Sequence, residues 1–77
     1  AQEDALGQVS LGSMYKEGIG VTQDYVLAHM WYNIASSLGE ERGKYAREAV
    51  AKMMSHSDIS AAQRLARECL DKSYKGC

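Results

Sequence analysis

Residues 18–39 read GIGVTQDYVLAHMWYNIASSLG, and this stretch decides the architecture. Gly18 suits the left-handed position that ends a helix, with Ile19 able to fold back onto the last turn. Gly20 permits a second unusual backbone angle, and Val21 should point inward to seal the corner. Asp24 or Thr22 can cap the helix that follows. From there Leu27, Ala28, Trp31, Ile34, Ala35 and Leu38 recur at three- and four-residue steps, the spacing of one buried helical face. Met30 and Tyr32 flank that stripe, and Gly39 stops the helix. A tight helix–corner–helix with small side chains on its inner faces is built to pack against another helix pair.

Working outward, the segment before the corner repeats the logic. Ala5, Gln8, Leu11, Met14 and Tyr15 form a stripe on a first helix from about Asp4 to Glu17. Gly7 and Gly12 interrupt it at roughly 1 kcal/mol each relative to Ala, which predicts close approach of a neighbouring helix at both. After Gly39, a third helix is expected over Glu40–Met54. Its two leading carboxylates complement the positive helix end. Tyr45, Ala46, Ala49, Val50 and Met53 are its expected apolar face, with Lys44, Arg47, Glu48 and Lys52 toward water. Ser55-His56-Ser57-Asp58 reads as a capping box with Asp58 in place of the usual Glu or Gln. Ile59, Ala62, Leu65, Ala66, Cys69 and Leu70 then repeat helically to about Lys72. The expected fold class is all-α, two stacked antiparallel helix hairpins, with short connections between consecutive helices.

Composition agrees. The chain has 77 residues, one small domain near the lower limit for a self-sufficient core. It has no proline, so no ring interrupts a helical hydrogen-bond ladder. The apolar fraction of 45% and charged fraction of 25% are those of a folded protein rather than a disordered one. Net charge is −1 with both signs interspersed, which leaves no basic stripe for nucleic acid. No apolar run approaches the ~20 residues that span a bilayer, so membrane insertion is not expected. The opening Ala1-Gln2-Glu3-Asp4 suits a mature terminus left by cleavage after small residues, and equally an arbitrary boundary.

The ordered string Ala5-x-Gly7-Gln8-x-x-Leu11-Gly12-x-Met14-Tyr15-x-x-Gly18-x-Gly20-Val21-x-x-Asp24, followed by Ala28-x-x-Trp31-Tyr32-x-x-Ala35-x-x-x-Gly39, closely resembles a Sel-one-like repeat. These repeats are short relatives of the tetratricopeptide repeats. Gly7 departs from the usual Ala, and Thr22 stands where proline is frequent. Residues 40–77 are similar to the degenerate C-terminal unit of such proteins, through Ala62-Gln63-Arg64-Leu65-Ala66-Arg67-Glu68-Cys69 and the ending Tyr74-Lys75-Gly76-Cys77. The expected organisation is one domain, a complete repeat over 4–39 and a capping helix pair over 40–77.

The resemblance implies a solenoid segment that binds other proteins and performs no chemistry. Some bacterial members are exported, and some act as effectors inside host cells. The expectation is therefore a monomeric bacterial adaptor or effector, exported to the periplasm or secreted and otherwise cytoplasmic. The alternative is a structural cap for a longer array, because stacked repeats need about three units for a continuous core. By analogy with tetratricopeptide stacks, whose first helices line the concave face, the expected protein-binding residues are Ser10, Ser13, Lys16 and Glu17 with Lys44, Arg47 and Glu48.

No catalytic, cofactor-binding or metal-ligating residues are assigned. His29 is expected on the solvent side of the second helix and His56 at the start of the fourth, in no ligand-spaced motif. Glu40-Glu41 is a helix-start charge cluster. Gly18-x-Gly20 joins helix to helix, unlike a phosphate loop. Trp31, Tyr15, Tyr32 and Tyr45 read as a core and its rim, and Met14, Met30, Met53 and Met54 as core filler. Cys69 and Cys77 leave two readings open. A continuous helix would hold them about 12 Å apart, too far to bridge. A turn at Gly76 would let them join in an oxidising compartment; in cytosol, a buried free thiol is the ordinary state.

Overall fold

A computed structural model describes the backbone of residues 2–73 and 77, and the side chains of residues 5–73 and 77. Four helices follow in order: α1 (Gln2–Glu17), α2 (Tyr25–Ser37), α3 (Glu41–Ala51) and α4 (His56–Asp71), with no strand among the described residues. The all-α reading holds. Gly18 and Gly20 take φ of 71° and 74°, and the amide of Ile19 donates to the carbonyl of Met14 at 2.9 Å. That bond closes α1 in a Schellman turn. The Ile19 side chain does not fold back as expected and stays exposed. Asp24, not Thr22, caps α2, its Oδ1 accepting from the Leu27 amide at 3.1 Å. The Ser55 hydroxyl caps α4 through the Asp58 amide, also at 3.1 Å.

The middle of the fold is α2, with α1, α3 and α4 all packed around it. One side of α2 puts Met30, Trp31 and Ile34 against Ala66 and Cys69 of α4. Its other side puts Ala28 and Tyr32 against Val50 of α3. Direct packing between α3 and α4 is slight, so the second pair is splayed across α2. This three-sided enclosure explains why α2 buries far more than one stripe. Met30 and Tyr32, expected at the flanks, are core residues, and so is His29. Leu38 lies past the last turn of α2 and is at the surface, as are Leu70 and Met14.

Two glycines set how closely the helices approach. A Cβ on Gly12 would stand 2.8 Å from two ring carbons of Tyr32. One on Gly43 would stand 2.7 Å from the Tyr32 carbonyl oxygen and 2.9 Å from Ala35 Cβ. Gly7, expected to serve in the same way, faces open space instead. Gly43 also fixes the rotation of α3. Ala46 and Val50 face α2 as expected, together with Gly43, while Tyr45, Ala49 and Met53, expected on the same face, are exposed. The helix is also shorter than expected, ending at Ala51 rather than Met54.

Candidate functional site

The residues expected to meet a partner lie on α1 and α3, which touch along the α2 surface. Ser10 and Glu17 on α1, and Lys44 and Glu48 on α3, are exposed. Lys16 is half-buried, and its carbonyl accepts a bond from Gln23 Nε2 at 2.9 Å. Ser13 and Arg47 are engaged elsewhere. The Ser13 and Tyr32 hydroxyls are 2.8 Å apart, tying α1 to α2. Arg47, expected toward water, is half-buried and donates from Nη1 to Asn33 Oδ1 at 2.7 Å, tying α3 to α2. Their side chains brace the helices, which leaves Ser10, Glu17, Lys44 and Glu48 as the freer polar groups.

Beside Lys44 and Glu48 the rotation of α3 exposes two large apolar side chains, Tyr45 at 63% and Met53 at 50%. Tyr45 and Ala49, spaced by four, share one outward side of α3, and the exposed Met53 follows in the turn just past its end. Sequence reading assigned these residues to the core because aromatic and methionine side chains at helical spacing usually belong there. The usable signal was Gly43, whose spacing to Ala46 and Val50 marks the alternative inward stripe.

Two recesses lie among the described residues. Gly39, Glu40, Glu41 and Arg42 line an open hollow of about 400 Å³ at the start of α3. There the buried Glu40 carboxylate accepts from Arg42 Nε at 3.0 Å, which partly neutralises its charge. A groove of about 150 Å³ opens between α2 and α4, lined by Leu27, Met30 and Leu65 with Glu68 and Lys72. Cys69 and Cys77 border the same groove and are joined by a disulfide across 5.6 Å between their Cα atoms. The turn that returns Cys77 to Cys69 was assigned to Gly76, which lies outside the described residues.

Among the described residues no three His, Cys, Asp or Glu side chains stand close enough to share a metal ion, and no helix is long and apolar enough to cross a membrane. His29, expected on the solvent side, is 3% exposed, and its Nδ1 has no hydrogen-bond partner. Burial, and next the positive charge of Arg47, push its pKa below the ordinary 6.5, while its own backbone pulls the other way.

A family model described as the Sel1 repeat matches residues 5–40, spanning α1, the glycine corner and α2. Residues 5–40 are thus similar to a Sel1 repeat. Comparison with curated proteins and with solved structures returned no match. Sel1 repeats are protein–protein interaction modules, and the two-glycine corner, the capping Asp24 and the Gly12–Tyr32 contact are the means by which this one holds its hairpin. Helices α3 and α4 lie beyond the matched residues.

Proposed function

We propose that this chain is a non-catalytic adaptor, exported by a bacterium, that holds a protein partner against the outward sides of α1 and α3. The observation that carries the binding surface is the pair Tyr45 and Met53, large and exposed beside the charged Lys44 and Glu48. Aromatic and methionine side chains are enriched at protein interfaces, where they supply large apolar contact area inside a polar rim. Ser10 and Glu17 extend the surface onto α1. Ser13 and Arg47 act behind it, holding the two helices to α2. The Cys69–Cys77 bridge supports export, since such bonds persist in oxidising compartments. The protein works as a monomer.

The test is affinity capture from the source cell followed by mass spectrometry, with wild type and the double variant Tyr45→Ser, Met53→Ser as baits. A partner retained by wild type and lost by the variant, at equal melting temperature, supports the surface. Undiminished affinity of the identified partner for the variant refutes it. A second reading, a structural cap for a longer array, draws on the splayed α3–α4 pair, which leaves Tyr45 and Met53 for another unit to cover. A cooperative melt of the 77-residue chain alone argues against dependence on further units.

A further inference from the structure

Among the described residues, α4 is the helix with the fewest supports. It rests on α2 and has only slight contact with any other helix, whereas α3 packs on both α2 and α1. Its apolar side delivers Ala66 and Cys69 to the cluster around Met30, Trp31 and Ile34. Just past the C-cap Lys72 the chain turns under strain. Ser73 takes a φ of 54°, in the left-handed region that glycine ordinarily fills at this position of a helix end. Its amide donates to the Leu70 carbonyl at 3.0 Å, closing the helix.

The disulfide ties Cys77 back to Cys69, eight residues earlier. Cys77 borders the groove with Leu27 and Met30 of α2 and Leu65 of α4, so the bond sets residue 77 on the seam between the two helices. An opening that lifts α4 from α2 with the bond intact must carry the closed loop 69–77 into the open form. That form then has little chain freedom to gain.

We propose that Cys69–Cys77 is a redox latch on α4: oxidised, it keeps the helix docked on α2; reduced, it lets α4 open while α1, α2 and α3 stay packed. The reductant is a dithiol. Its thiolate attacks Sγ of Cys77, the exposed member of the pair, and the S–S bond breaks toward Cys69, which leaves and takes a proton from solvent. The second thiol of the reductant then resolves the mixed disulfide. Cys77 is freed as a thiol, the reductant ends as its own disulfide, and two electrons have passed to the protein. The Ser73 turn thereby loses the bond that opposes its strain, and the open form gains the freedom of residues 69–77. The partner surface proposed above lies on α1 and α3, so the latch and that surface can fail separately.

Native-state hydrogen exchange of the full chain at constant pH, with and without dithiothreitol and with reduction verified by intact mass, tests this. On reduction the amides of Ala66, Cys69 and Leu70 should lose up to about seventyfold in protection, the chain-entropy value for so short a loop. Those of Leu11, Tyr32 and Val50 should hold steady. Ser73→Gly accepts the left-handed turn without strain and should shrink the loss. Cys77→Ser should show the reduced pattern from the start and no response to dithiothreitol; the wild-type comparison decides if that variant does not fold. Three results overturn the latch: α4 protection unchanged after complete reduction, equal losses in α4 and the other helices, or a dithiothreitol response undiminished in either variant.

Discussion

Gly43→Ala separates two opposing effects that are ordinarily confused. In an unobstructed helix the substitution gains about 1 kcal/mol, because alanine gives up less backbone freedom than glycine. Here the added methyl would lie 2.7 Å from the Tyr32 carbonyl oxygen, 2.9 Å from Ala35 Cβ and 3.0 Å from the Ser36 amide nitrogen. Two of these are backbone atoms of α2, the helix that every other element packs on, so no rotamer change can clear them. The α2–α3 pair must part by roughly half an ångström or more, loosening Val50 and Ala46 from Tyr32. Overpacking of this kind costs about 1–3 kcal/mol, with the backbone contacts placing it at the upper end. After the propensity gain, the net loss is about 1–2 kcal/mol, or about 5–15 °C in melting temperature for a chain of this length. Gly7→Ala supplies the control, because its methyl meets nothing within 4 Å. It should raise the melting temperature by about 4–8 °C. Thermal unfolding followed by circular dichroism at 222 nm reads both. A Gly43→Ala protein that melts at or above wild type refutes the close α2–α3 approach.

Removing the Asp24 carboxylate by Asp24→Ala should cost about 1 kcal/mol in urea unfolding, because the Leu27 amide loses its acceptor; no change would mean water serves as well. Cys77→Ser should lower stability by up to about 2.5 kcal/mol, the chain-entropy value for so short a loop. An intact-mass measurement showing two free thiols in protein purified without reductant would refute the bridge. The pH dependence of stability should include a component from His29 that is absent above about pH 6.5 and destabilises progressively below it. His29→Gln should remove that component from a series of denaturant melts.

The first half of the fold was legible because its signals are local. Gly18 and Gly20 state their backbone angles in their residue type, Asp24 stands at capping distance from Leu27, and the α1 stripe depends only on helical spacing. His29 and the rotation of α3 were not legible in that way. A single-helix reading assigns each helix one inward face, and α2 has two: Trp31 looks toward α4 and Tyr32 toward α3. A residue between such faces is buried whatever its polarity, which is how His29 comes to lie inside. For α3 the sequence pattern put Tyr45, Ala46, Ala49, Val50 and Met53 on one face, and only Ala46 and Val50 turn inward. Steric fit sets that rotation, since only a glycine can cross the Tyr32 carbonyl at this separation, and Gly43 therefore faces α2. The candidate surface follows from that choice. Turning Gly43 inward leaves Tyr45 and Met53 outward beside Lys44 and Glu48 and points Arg47 back at Asn33. One close backbone contact thus determines both which side chains a partner can reach and which cation is tied to Asn33.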